Sequence, residues 1–241
     1  MRIGVIGTGT IAGAVVRGIA GDGHQITISE RSKGVSAALA DAFESVTVAP
    51  NQQVLDQSDV IFLGLMAGGA PGILAPLTFR ADQRVISFMA GADLGQVGRM
   101  IAPARASAVM MPFPGIARGG SAIMAQGDTD LVNEIFGTRN TVFALKDSAE
   151  LDAYLCAQAV LSPVARMVGD AADWLGTRVS DPAQGEAFLR MLVATSLAET
   201  GCADLIAALN TPGGYNQRLR QHMEAAGMTG DLMSGLNDLE G

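Results

Sequence analysis

The sequence predicts an α/β protein in which a doubly wound, largely parallel sheet is followed by an all-helical region. Three observations carry that prediction. Short β-branched runs alternate with helical patterns through the first half of the chain, which is how a sheet built from βαβ units reads. A glycine-rich turn follows the first such run. After Lys146 the β-rich runs stop, and apolar residues recur at helical spacing only.

Strands are expected at Arg2–Ile6, Gln25–Ser29, Ser45–Val48, Val60–Leu63, Arg84–Ser87 and Ser107–Met111, with weaker ones at Ser121–Ala125 and Thr141–Ala144. Helices are expected near Ile11–Ala20, Gly34–Ala42, Asn51–Gln57, Pro71–Leu77 and Leu94–Ile101. A strand–helix spacing of about 25 to 30 residues fits a doubly wound sheet. Beyond Lys146, Leu151, Tyr154, Leu155, Leu161, Ala165, Val168, Ala172 and Leu175 mark one long helical pattern. A second runs from Phe188 through Leu197 and is expected to continue towards Ile206 and Leu209, with Asp181 capping its start and Pro182 at its first position. Two shorter helices are expected after Gly214 and Thr229. The expected division is therefore residues 1–146 and residues 147–241. The long helices have too little chain around them to be buried on every side, so they are expected to pack against a second copy.

Composition narrows the partners. Of the 241 residues, 49% are hydrophobic and 17% charged, against roughly one quarter charged in an average soluble domain. That leaves apolar surface for a subunit interface. A net charge of −8 without a Lys/Arg cluster argues against nucleic acid or an anionic membrane as partner. Two cysteines and two histidines cannot build a disulfide framework or a zinc site. No run of about 18 apolar residues suggests a membrane span, and a cytoplasmic location is expected.

The strongest chemical signal is Gly7-Thr8-Gly9-Thr10-Ile11-Ala12, placed between a strand and a helix. Gly7 permits the tight turn, and Gly9 removes a side chain where a pyrophosphate approaches the backbone. Ala12 lets the helix lie close to the sheet. The helix start directs its N–H groups and positive dipole end at the phosphates. Residues 1–146 are therefore read as a Rossmann-type NAD(P)-binding domain. Glu30 lies where an acidic residue holds the ribose 2′-hydroxyl of NAD. Arg31, Ser32 and Lys33 follow at once, and a cation with a hydroxyl there suits the 2′-phosphate of NADP. NADP and NAD both remain open on the residues alone.

The chain also resembles the pyrroline-5-carboxylate reductase family over most of its length. The resemblance lies in Val5–Ala12, Ser29–Ser32, Asp59–Leu63, Val85–Gly91, Met111-Pro112 with Pro114, and Thr211–Gly214. It implies a helical dimerisation and substrate domain over residues 147–241, with hydride transfer from NAD(P)H to a small cyclic imine, most naturally L-1-pyrroline-5-carboxylate. The chain departs from the family pattern in four places. Leu65-Met66 through Pro71 replaces Lys-Pro, and Phe113 replaces Asn-Thr. Ala159–Pro163 replaces Ser-Gly-Ser-Gly-Pro, and Tyr215-Asn216 replaces Thr-Thr.

The candidate cofactor-binding residues are Gly7, Thr8, Gly9, Thr10, Ile11, Ala12, Glu30, Arg31, Ser32, Leu65, Met66, Ala90, Pro112 and Phe113. Ligands in such sheets bind beyond the carboxyl ends of the strands. Phe113 either covers the nicotinamide or is a core aromatic. The candidate catalytic residues are Ser162, Tyr215 and Asn216. Pro163 next to Ser162 predicts a local kink, which is either functional or a packing device. Thr211–Asn216 is either a turn whose N–H groups hold a carboxylate or an ordinary loop. Tyr154 is a further possible donor. Two other readings are carried. One is a β-hydroxyacid dehydrogenase, which requires a lysine on the long helix where this chain has none beyond Lys146. The other is a non-catalytic dinucleotide-binding sensor with a degenerate substrate site.

Overall fold

The computed structural model describes residues 1–240 and divides into two compact units, Met1–Leu151 and the chain from Asp152 onward. In the first unit the order is β1 (Arg2–Ile6), α1 (Thr10–Ile19), β2 (Gln25–Ser29), α2 (Lys33–Ala42), β3 (Val46–Ala49), α3 (Asn51–Asp56) and β4 (Val60–Leu63). There follow α4 (Ala70–Leu74), β5 (Arg84–Ser87), α5 (Leu94–Ile101), β6 (Arg105–Pro112), β7 (Ala122–Gly127), α6 (Thr129–Phe136) and β8 (Thr141–Leu145). The eight strands form one sheet in the order β3-β2-β1-β4-β5-β6-β7-β8. The first six are parallel, and β7 runs antiparallel to β6. This is the doubly wound Rossmann arrangement expected from the sequence, with a reversed edge added.

The strands are apolar on both faces because both faces are covered. On β1 and β4, Ile3, Val5, Val60 and Phe62 face one layer. Ile6, Ile61 and Leu63 face the other. The first layer is completed by Val15, Val16 and Ile19 of α1 with Leu131, Val132, Ile135 and Phe136 of α6. The second is completed by Val54 and Leu55 of α3, Leu74 of α4, and Val97 and Ile101 of α5. Period-2 alternation on each strand thus feeds two cores, and the sheet is held as a rigid platform. The parallel order brings the carboxyl ends of β1, β2, β4, β5 and β6 to one edge. That edge carries the glycine turn.

Three local expectations are corrected. Helix α6 has no counterpart among the expected elements, although Asp128 accepts from the Leu131 N–H at 3.1 Å and caps it. The helix expected at Pro71–Leu77 ends at Leu74; Pro76 has no N–H with which to continue the helical ladder. The second long pattern of the C-terminal half is two helices. Thr200 is extended and Gly201 caps a new helix, so α9 (Pro182–Glu199) is separate from α10 (Cys202–Ala208).

Helix α7 (Ser148–Ala157) runs across the division between the units. It passes through a 3-10 turn at Gln158–Val160 into α8 (Leu161–Gly176). The turn lies in the helical turn preceding Pro163, where a proline's missing N–H and ring bulk act. Helices α11 (Tyr215–Ala225) and α12 (Met228–Glu240) end the described chain. The Asp181 side chain accepts from the Gln184 N–H at 3.0 Å, with Pro182 opening α9. Among the described residues beyond Leu151, Ala172 alone is buried. No single helix among them is long and apolar enough to cross a membrane.

Candidate functional site

The glycine turn is built by two kinds of requirement. Gly7 sits at φ 89°, and a Cβ there would lie 2.6 Å from the Gly64 carbonyl oxygen. Gly64 in turn is pressed against Gly7, and a Cβ on it would meet the Ala12 methyl at 2.7 Å. The turns after β1 and β4 therefore touch backbone to backbone, and only glycine fits at both. Gly9 is different. Its φ is −78°, open to any residue, and a Cβ there would meet nothing within 4 Å. Neither conformation nor packing within the protein asks for glycine at this position.

Gly9 is also the cap of α1, and it supplies no capping side chain. The first turn of α1 carries no acidic residue. The first intrahelical bond runs from Gly13 N–H to the Gly9 carbonyl at 2.8 Å. The backbone N–H groups of Thr10, Ile11 and Ala12 have no protein acceptor among the described residues. A bare helix start beside an open glycine suits a phosphate, which would take those donors and the dipole field together. The residues present fit a dinucleotide pyrophosphate.

A second loop flanks this start. Thr8 is fully buried, and its hydroxyl donates towards the carbonyls of Ser29 at 2.8 Å and Arg31 at 3.0 Å. The Ser29 hydroxyl accepts from Gly7 N–H at 2.9 Å and lies 3.3 Å from Thr8 Oγ1. The Ser36 hydroxyl reaches the carbonyls of Arg31 and Ser32, both at 3.2 Å. Ser32 takes the left-handed conformation at φ 65°, the sole non-glycine residue to do so among those described. Backbone is held inward while the side chains of Glu30, Arg31, Ser32 and Lys33 are exposed.

The remaining first-unit candidates sit on the loops after β4, β5 and β6. Leu65 is buried in the second core, whereas Met66 is 81% exposed. Ala90 is exposed beside Gly91, which sits at φ 78° with open space around it. Pro112 is buried at the end of β6, and Phe113 is half-buried. Phe113 stands apart from the aromatic cluster of the core, where Phe62 meets Phe88 at 5.3 Å and Phe136 at 5.8 Å between ring centroids. Leu65–Pro71, Ala90-Gly91 and Met111–Gly115 contain no titratable side chain. Asp59, whose carboxyl the Arg2 guanidinium holds below the usual range, lies at the opposite, amino-terminal end of β4.

Ser162, Tyr215 and Asn216 belong to the second unit. Ser162 is exposed in the first turn of α8. Tyr215 opens α11 and is 90% exposed, with Asn216 exposed beside it. Gly213, at φ 72°, donates its N–H to Gln217 Oε1 at 2.8 Å and shapes the turn before that helix. No hydrogen bond joins Ser162 to Tyr215 or Asn216 among the described residues. Tyr154 is 42% exposed on α7. Sequence reasoning did not single out Gly64, Ser29 and Ser36 as site residues. A glycine directly after a strand marks the first; the other two become visible only through the acceptors they meet.

Residues 2–91, which hold the glycine turn and the loops after β2 and β4, match the family described as NADP oxidoreductase coenzyme F420-dependent. Among solved structures, the chain is similar to 1-pyrroline-5-carboxylate reductase from Streptococcus pyogenes. The TM-score is 0.85 at 22% identity, covering 100% of this chain and 96% of that one. It is also similar to a pyrroline carboxylate reductase of Plasmodium falciparum with NADP bound, at a TM-score of 0.84 and 15% identity over 100% and 95% of the two chains. An imine reductase from Pseudomonas sp. superposes with a TM-score of 0.66 at 16% identity, over 98% and 87%. The chain has the fold of the pyrroline-5-carboxylate reductases.

Proposed function

We propose that the protein is an NAD(P)H-dependent reductase of carbon–nitrogen double bonds, taking a small cyclic imine such as L-1-pyrroline-5-carboxylate and working as a homodimer. The observation that carries the reading is Gly9, a glycine the fold itself does not need, at the uncapped start of α1. Gly7, Gly9 and the N–H groups of Thr10, Ile11 and Ala12 would hold the pyrophosphate. Arg31, Ser32 and Lys33 would hold a 2′-phosphate, which favours NADPH over NADH despite Glu30. Leu65, Met66, Ala90, Pro112 and Phe113 would line the rest of the cofactor. A bound nicotinamide supplies a hydride for the imine carbon.

An imine asks less than a carbonyl of the segments Leu65–Pro71, Ala90-Gly91 and Met111–Gly115, which carry no titratable side chain. Reducing a ketone leaves an alkoxide that needs a proton donor, whereas a protonated imine becomes a neutral amine on accepting hydride. Loops without a titratable side chain can orient an iminium and exclude water, and little else is required of them. On the second unit, Ser162, Tyr215 and Asn216 carry the hydroxyl and amide groups proposed for the substrate. The likeness to pyrroline-5-carboxylate and imine reductases along the chain supports the same reading.

The homodimer rests on the second unit. Leu161, Trp174, Phe188, Met191 and Leu219 are 65%, 62%, 59%, 69% and 64% exposed. Helices this apolar and this bare have no core of their own, and a second copy would supply one. The test is NADPH oxidation by the purified protein with L-1-pyrroline-5-carboxylate, uncarboxylated 1-pyrroline and the matching cyclic ketones. Turnover of the imines and not the ketones is expected. Binding of NADPH with no turnover of any imine would show a cofactor-binding protein without this activity.

A further inference from the structure

We propose that Thr8 is a positioning residue for the 2′-phosphate of NADP(H), acting through the Arg31 carbonyl without touching the cofactor. The inference rests on the NADPH reading above and adds how the chain enforces it. The recognition loop from Glu30 to Lys33 is short and exposed, and a charged loop of that kind would ordinarily sample many conformations. Here it does not stand alone. Gly7 N–H donates to the Ser29 hydroxyl at 2.9 Å, and the Ser29 hydroxyl lies 3.3 Å from Thr8 Oγ1. The single Thr8 hydroxyl proton is shared between the carbonyls of Ser29 and Arg31, at 2.8 and 3.0 Å from the oxygen that carries it.

These bonds form one polarised chain from the pyrophosphate turn to the loop that would meet the ribose. Thr8 and Ser29 are both 0% exposed, so water is kept from their hydroxyls and each bond strengthens the next. Ser36, 1% exposed, closes the chain from the far side by donating to the carbonyls of Arg31 and Ser32. With its carbonyl clamped by two hydroxyls, Arg31 has its peptide plane set. The next residue, Ser32, is held in the left-handed conformation that a serine ordinarily avoids. Those two restraints fix the directions in which the Arg31 and Ser32 side chains leave the backbone. A guanidinium and a hydroxyl that leave a preset backbone bind a phosphate at a lower ordering cost.

NAD(H) lacks the 2′-phosphate, so its affinity depends on the glycine turn and not on this aim. Thr8→Val keeps the shape of the side chain and removes the donor. The expected result, by titration calorimetry on the cofactor-free protein, is an NADP+ affinity lowered about tenfold or more with NAD+ affinity kept within about twofold. Thr8→Ser, which restores the hydroxyl, is expected to bind both like the wild type. Ser36→Ala is expected to shift the ratio in the same direction by less. A readout that needs no cofactor is amide hydrogen exchange, which should quicken across Arg31–Ser36 in Thr8→Val and stay slow in Thr8→Ser. Equal losses for both dinucleotides, or no loss for either, would overturn the proposal. A wild-type protein that prefers NAD+ would overturn it as well. One that binds neither dinucleotide would overturn the cofactor reading beneath it.

Discussion

Gly7 and Gly9 stand two residues apart, and the fold treats them differently. At Gly7 a side chain meets both a positive φ and the Gly64 carbonyl at 2.6 Å. Gly7→Ala is therefore expected to cost about 2–4 kcal/mol of stability, read as a shift in the urea midpoint. Gly9→Ala should change stability by less than about 1 kcal/mol. Its affinity for NADP+ should nonetheless fall roughly tenfold or more by calorimetry, because the methyl occupies the space kept for phosphate. A large stability loss at Gly9 would mean that the glycine serves the fold after all. These two positions were readable in the sequence because turn and phosphate requirements act over a few neighbouring residues. The role of Thr8 was not, since its acceptors at Ser29 and Arg31 are 21 and 23 residues away. A sequence displays the hydroxyl and hides the carbonyls.

At the scale of elements, the strands with buried faces were found because β-branched runs are unambiguous in a covered parallel sheet, as at Val60–Leu63 and Arg84–Ser87. Helix α5 announces itself by a capping box. The Asp93 side chain accepts from Gln96 N–H at 2.7 Å, and Gln96 Oε1 accepts from Asp93 N–H at 2.9 Å. Asp93→Ala is expected to lower stability by about 1 kcal/mol and leave NADP+ affinity unchanged. Thermal unfolding and calorimetry on the same sample check the two halves of that statement. Helix α6 escaped notice because it is only about two turns long between two weak strands, and its apolar pairs Leu131-Val132 and Ile135-Phe136 also read as strand. The break between α9 and α10 was hidden for a related reason. Apolar periodicity persists across Thr200-Gly201, and only the extended backbone at Thr200 interrupts it.

At the scale of the molecule, the two units bury very different amounts of apolar side chain. The first has two continuous cores. The second leaves Phe188 and Met191, one turn apart on α9, 59% and 69% exposed. Charging that stripe with Phe188→Glu and Met191→Glu together is expected to turn a dimer into a monomer by sedimentation velocity. The helical signal in circular dichroism should fall, while NADP+ binding is retained, because the candidate cofactor residues all lie in the first unit. A variant that remains dimeric would place the interface elsewhere. The groups proposed for the substrate in the second unit were the least legible part of the chain. Exposed residues such as Tyr215 and Asn216 are tied to nothing within the chain that would reveal their task.

The proposed homodimer would also make folding of the second unit a matter of mass action. Where a core is completed by a second copy, each tenfold dilution removes about 1.4 kcal/mol of the free energy holding that part together. The first unit has its own cores and feels no such dependence. Melting curves taken across a range of protein concentrations should therefore separate into one transition that moves and one that stays. At low expression a cell would hold chains able to bind dinucleotide before it held chains able to turn it over.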